Sequence, residues 1–295
     1  MLLAVPNVSE GRDRDAIERI QAALGAGPAL LDVHSDPTHN RSVFTLGGEA
    51  EALRNGLVGG ARAAVDSIDM RTHQGAHPCV GALDVCPVVY LREIDRDAAR
   101  QDALDVAETI GGELEVPVFL YGDLAYSPER RERSFFRAGG LGELARRMRA
   151  GELRPDRGPI APHPTAGATL VTARPPLAAF NVVLDTSHPE VGRAVARELR
   201  ESGGGLPWVR AIALRLPGGR IQIAINIHDP VAMPLGVVVA EIRRLGAPRG
   251  ASPVSAELVG LIPEAAMEAY PEDVPLAGFD PATHVIERRL PVPDE

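Results

Sequence analysis

At 295 residues the chain is long enough for two ordinary domains or one large one. Its 45% apolar and 24% charged residues give a globular rather than a disordered composition. A net charge of −9 disfavours recruitment of nucleic acid or an anionic membrane. Only two cysteines, Cys79 and Cys86, are present, which excludes a disulfide scaffold and a four-cysteine zinc site. All 31 basic residues are arginine, so a lysine Schiff base and a P-loop lysine are excluded. Any anionic substrate must be held by arginine, histidine or backbone amides.

Met1 to Val5 is apolar for too few residues before Pro6-Asn7 to be a signal-peptide core. Val231 to Ala240 is broken by Pro234 and falls far short of the ~20 residues of a membrane span. A cytoplasmic location is expected. In chain order, Leu2–Val5 reads as a short buried strand, and Asp13 can cap a helix to about Leu24 with Ile17, Ile20 and Leu24 at helical spacing. Ala29–Val33 and Ser42–Leu46 read as strands. Glu49 to Ile68 reads as a helix with Leu53, Leu57, Ala61 and Val65 on one face, and Ala82–Leu91 as a nearly continuous apolar strand. This order is the split β-α-β-β-α-β arrangement.

A helix over Asp95–Gly111, a strand over Val116–Tyr121 and an arginine-rich helix over Leu141–Ala150 follow. Pro155 to Pro176, rich in proline and glycine, reads as irregular chain. The first order then returns as strand Leu177–Leu184, helix His188–Glu201, strands Val209–Leu216 and Arg220–Ile227, helix Val231–Leu245 and strand Ala256–Leu261. Pro217-Gly218-Gly219 is a hairpin turn between the paired strands. The expectation is an α/β (α+β) protein of two subdomains, residues 1–176 and 177–295, with a ligand cleft or tunnel between them.

The densest polar cluster is the loop Asp69 to Cys79, presented between a long helix and an apolar strand. Within it, His77 precedes Pro78, which holds it extended, and imidazole is the natural proton shuttle near neutrality. His73 and His77 have the spacing of a helical metal pair, but Gly75 and Pro78 argue against a helix and no third ligand is evident, so no metal is expected. A Cys79–His77 nucleophile is equally weakly specified. Asp84 sits inside an apolar run, where a carboxylate needs a partner; it either orients a loop histidine or an arginine such as Arg71, or ties down backbone. The loop Pro6 to Gly11, with Asn7, Ser9 and Glu10, and the loop His34 to Arg41 suit ligand contact, and Arg41 can clamp a carboxylate. Neither dinucleotide nor P-loop signatures are present.

Taken together, Val5 to Gly11, Asn40-Arg41, Gly75-Ala76-His77-Pro78, Gly81 to Pro87, His163 to Thr169 and Val259 to Pro263 resemble the glutamate formiminotransferase family. The resemblance implies transfer of the formimidoyl group of N-formimidoyl-L-glutamate to N5 of tetrahydrofolate in histidine breakdown, by a homodimer of two α/β subdomains. It places the catalytic histidine on His77. The folate-binding segment falls on Gly158, Pro159, Ile160, Ala161, Pro162, His163, Pro164, Thr165, Ala166 and Gly167. Further candidate substrate contacts are Asn7, Ser9, Glu10, His34, Arg41, Asp84 and Asn226. No cyclodeaminase part follows Glu295, so channelling within one chain is not expected. Position 34 is His where animal members carry Asp, and Ala224 stands where relatives usually carry Ser.

The implied reaction needs one proton removed from the attacking amine and one given to the departing glutamate nitrogen, which a single histidine can do in sequence. Tetrahydrofolate is then the co-substrate, with no metal or nucleotide. A sibling reading keeps the folate site but uses N-formylglutamate as a formyl donor. A third is a folate-binding protein without activity.

Overall fold

Helical spacing and a side-chain cap start the first helix. Asp13 accepts a hydrogen bond from the Ala16 N–H, and α1 (Arg14–Leu24) buries Ala16, Ile17, Ile20 and Leu24. Asp13→Ala is expected to cost about 1 kcal/mol, read as a lower urea midpoint. The computed structural model describes residues 1–290. Its chain divides into two units, Met1–Pro175 and the residues from Pro176 onward.

In the first unit the opening strand is interrupted at Val5-Pro6 into β1 (Leu2–Ala4) and β2 (Asn7–Val8). After α1 come β3 (Ala29–Asp36), β4 (Arg41–Gly48), α2 (Ala50–Ser67) and β5 (Leu83–Val89). Next are α3 (Arg96–Glu113), β6 (Val118–Leu120), α4 (Arg133–Arg137), α5 (Gly140–Arg149) and β7 (Thr169–Arg174). One mixed sheet carries these strands. β3 pairs β4, β4 pairs both β1 and β2, and those two pair β5, all antiparallel; β5, β7 and β6 then run parallel.

Alternate residues of the central strands go to opposite faces. Leu83, Cys86, Val88, Val118, Leu120, Val171 and Ala173 join the core under α1, α2 and α3. Val85, Phe119, Tyr121 and Leu170 join a second core with Phe136 of α4 and Leu144 and Met148 of α5. A sheet covered on both faces explains why β5 is buried at every position.

The second unit runs β8 (Ala178–Leu184), α6 (Pro189–Leu199), β9 (Val209–Arg215), β10 (Ile221–Ile227), α7 (Leu235–Gly246) and β11 (Pro253–Val259). β12 (Leu276–Ala277), α8 (Pro281–His284) and α9 (Ile286–Arg289) close the described chain. The sheet order is β12-β11-β8-β10-β9. Ala178, Phe180, Val182 and Leu184 alternate with half-buried residues and share a core with Val195 and Leu199 of α6 and Val238, Val239 and Ile242 of α7.

Two expectations are corrected. The proline- and glycine-rich passage is not irregular throughout, because Thr169–Arg174 forms β7 between β5 and β6. The helix expected from Val231 starts only at Leu235: Pro234 is extended at φ −60°, ψ 153° and serves as its N-cap. Among the described residues no helix is long and apolar enough to cross a membrane.

Candidate active site

Residues opposite one another in register share a sheet face. His34 lies opposite Val43, Val43 opposite Asn7, Asn7 opposite Val85, and Val85 opposite Leu170, so His34 and Asn7 stand on the face that α4 covers. Asp36 and Arg41, themselves opposite each other, lie two residues further along the same face. The site is therefore raised at one end of the sheet where the loops after β2, β3 and α2 meet.

Asn40 pins these loops together. It is buried, sits at φ 50°, accepts from the Gly11 N–H at 2.9 Å and donates to the Gln74 carbonyl at 3.1 Å. A left-handed backbone is one asparagine tolerates better than most residues. The Ala76 N–H donates to Thr38 O at 3.3 Å, adding a second tie between the β3–β4 turn and the His77 loop. Asn40→Ala would leave the Gly11 N–H unpaired and is expected to destabilise by about 1–3 kcal/mol. A lowered melting temperature together with reduced turnover checks this.

The segment Gly158 to Gly167 is stitched to the same loop. Ala82 N donates to Ala166 O at 2.8 Å, Ala168 N to Val80 O at 3.0 Å, and Met70 N to Thr165 O at 2.7 Å. The backbones approach so closely that a Cβ on Gly81 would sit 1.9 Å from Ala168 O. His163 closes the turn within the segment, its Nδ1 accepting from the Ala166 N–H at 3.0 Å. Ile160, 78% exposed, is the segment's apolar projection. Thus His77 and the segment Gly158 to Gly167, more than 80 positions apart, lie on one framework.

His77 is largely enclosed. Arg41 Nη1 lies 3.0 Å from its Nε2, and Nδ1 is buried without a partner. A guanidinium only donates, so Nε2 accepts and the ring proton belongs on Nδ1. Burial, then Arg41, Arg137, Arg133 and His39, push His77 down to about 2, so the ring is neutral near pH 7. The His39 ring meets it edge-on with centroids 6.2 Å apart. His39 is itself paired through Nδ1 with Asp36. Burial opposes the Asp36 charge, but the His39 contacts outweigh it and hold the carboxyl well below its ordinary value.

Arg41, Arg133 and Arg137 concentrate positive charge around this ring, and Arg174 lies beyond them beside Arg133. Burial, then Arg133 and Arg137, push Arg41 down to about 10, still cationic at neutrality. Burial lowers Arg133 in the same direction, with Arg137 adding to it. Arg174 is pushed down to about 10 by burial, with Arg133 contributing. Among the described residues the only salt bridge these four make is Arg137 with Asp84. The Nε atoms of Arg41 and Arg137 are buried without partners.

Asp84 does not reach Arg71, which pairs with Asp69 on the surface. It joins Arg137 and also accepts from the Val80 N–H at 2.8 Å, so it ties down backbone and counters a cation at once. Ser9 is buried, its hydroxyl donating to Gly81 O at 2.7 Å. The Glu10 carboxylate accepts from the Arg12 and Asp13 N–H groups, and the Asn7 side chain donates to Val5 O. These three hold the loop in shape. Asn226 lies on β10 of the second unit, opposite Ala179 and Arg210.

Burial and the Asp84 carboxylate push the Cys79 thiol up, the wrong direction for a nucleophile. Burial alone pushes Cys86 up to about 12. No group of three or more His, Cys, Asp or Glu that could hold a metal occurs among the described residues. Sequence reasoning missed Arg133, Arg137, Arg174 and the Asp36–His39 pair. The one available signal was the i, i+4 spacing of Arg133 and Arg137, which puts both on one side of a helix.

The loop end of the sheet thus sets a neutral imidazole amid guanidinium groups. Residues 1–174 match the formiminotransferase domain, N-terminal subdomain, and the chain belongs to that family of formimidoyltransferases. Over 292 residues it is 35% identical to the glutamate formimidoyltransferase of Thermoplasma acidophilum, covering 97% of this chain and 96% of the relative. The glutamate formimidoyltransferase of Streptococcus pyogenes serotype M1 is 35% identical over 290 residues, covering 97% of each. Formimidoyltransferase-cyclodeaminase of Rattus norvegicus is 37% identical over 268 residues, covering 88% of this chain and 49% of that protein.

Proposed function

We propose that this protein transfers the formimidoyl group of N-formimidoyl-L-glutamate to N5 of tetrahydrofolate, releasing L-glutamate. The observation that carries the reading is the neutral His77 ring set among Arg41, Arg133 and Arg137, which suits proton transfer beside a substrate rich in carboxylates. His77 Nε2 takes the proton of the attacking amine as the new C–N bond forms. It returns that proton to the glutamate nitrogen as the old C–N bond breaks, so the ring ends neutral. Proton transfer of this kind is typically worth about 10²–10⁴ in rate. Holding both substrates in attack geometry supplies the larger share, with effective molarities of about 10⁵–10⁸ M in favourable cases.

The segment Gly158 to Gly167 binds the folate, with Ile160 offering apolar surface to a flat ring. The division into residues 1–176, bearing His77 and that segment, and 177–295 belongs to the same reading, as do a homodimer, a cytoplasmic location and a place in histidine breakdown. Purified protein incubated with tetrahydrofolate and each of N-formimidoyl-L-glutamate and N-formyl-L-glutamate tests it. Absorbance of the 5-formimidoyl product, formed faster than the formyl product, is the expected result. A preference for the formyl donor would reassign the substrate, and no transfer from either would remove the activity.

A further inference from the structure

The group that should act as base is covered. Arg41 Nη1 donates to Nε2 of His77, the nitrogen whose lone pair must receive a proton. Nδ1, the other ring nitrogen, is buried without a partner and offers no alternative route. Among the described residues the Arg41 Nε has no partner and no carboxylate is in a salt bridge with this guanidinium.

We infer that Arg41 is a latch operated by the substrate. A carboxylate of the incoming donor, drawn in by Arg133 and Arg137, takes the Arg41 guanidinium from His77 and exposes Nε2 to the amine. This rests on the functional reading above and names what opens the site. Carboxylate and guanidinium pair more strongly than imidazole and guanidinium, because both partners are charged and the contact can be bidentate. Arg133 and Arg137, on α4, supply attraction; with Arg41 they set three guanidiniums against two carboxylates acting on Arg133, Asp84 and Glu132. The donor's chemistry fits the position. Its α-carboxylate is two bonds from the nitrogen that departs, so the group that displaces Arg41 also carries that nitrogen towards Nε2.

Every charged group facing His77 enters the balance: Arg41 from β4, Arg133 and Arg137 from α4, and His39 with its Asp36 from the β3–β4 turn. All but Asp36 disfavour an imidazolium. An arriving anion among three guanidiniums reverses that, and an opposite charge at contact distance typically moves a titration by about one to three units.

The experiment is a histidine-labelled NMR titration of the full chain, alone and with saturating L-glutamate as the probe. His77 is expected to stay neutral down to acid pH when alone and to titrate about one unit or more higher with L-glutamate. In Arg41→Met the ring should titrate higher without ligand than in the unaltered protein, still lowered by burial, Arg137 and Arg133, and should respond less to L-glutamate. Arg133→Gln should weaken L-glutamate binding at least about tenfold. It should raise KM for the donor while leaving KM for tetrahydrofolate unchanged, a split that mere loosening of the fold would not give. If L-glutamate shifts other resonances but leaves the His77 midpoint in place, the latch is overturned and the functional reading stands. Should neither L-glutamate nor the donor bind at all, the functional reading falls and the latch with it.

Discussion

Replacing His77 with alanine is expected to cut turnover at least about a hundredfold while tetrahydrofolate binding stays near its original strength. The reasoning is geometric. The seam that holds the segment Gly158 to Gly167, the proposed folate site, runs through Val80, Ala82, Ala166 and Ala168, and none of its hydrogen bonds involves the His77 side chain. Alanine therefore removes the proposed proton carrier and leaves the segment standing. Equilibrium binding of tetrahydrofolate beside steady-state rates separates the two effects. A variant that keeps most of its activity would take the imidazole out of the reaction. The substitution has a second signature. Folded His77 is held near 2 while an unfolded imidazole takes its proton near 6.5. Below about pH 6.5 the unfolded chain binds more protons, so His77 makes stability fall with falling pH. His77→Ala should flatten that acid limb, measured as the urea midpoint against pH.

The other large effect is expected at Asp84. Its carboxylate is buried with the Arg137 guanidinium and also holds the Val80 N–H. Asp84→Ala leaves a buried cation uncompensated among three others, and breaking one side of such a pair typically costs about 3–5 kcal/mol. The loss should appear as a lower urea midpoint and poor soluble yield. Arg137→Met in the same chain should recover part of that stability, because the uncompensated charge goes with it. Activity should not return, since the site then lacks one of its cations. A double variant no more stable than Asp84→Ala would mean that the Val80 contact, not the ion pair, supplies the stabilisation.

What could be read before the structure depended on how far the relevant physics is local. Asp13 and the spacing of Ile17, Ile20 and Leu24 act within two turns of one helix, and the expected cap is present. β7 escaped because six residues between Gly167 and Pro175-Pro176 carry too short a pattern to stand out. Its strand character comes from lying between β5 and β6, which is a tertiary fact. His77 was singled out through its loop and its proline, and the structure encloses it. The choice among 31 arginines was not legible, because a guanidinium looks the same in sequence whether solvated or buried. Arg71, near in sequence, is committed to Asp69, whereas the partner of Asp84 is 53 positions away. Long-range pairing of that kind leaves no spacing to find.

The seam between Val80–Ala82 and Ala166–Ala168 bears on how the protein is made. His77 leaves the ribosome long before β7, and β7 lies inside the sheet rather than at its edge. A nascent chain that has not yet extruded Arg174 therefore exposes the paired edges of β5 and β6 with nothing between them. Loop closure over so many residues is slow compared with local helix formation. Competence for chemistry thus arrives late in biogenesis, and until then the gap in the sheet is the segment most in need of shelter from aggregation.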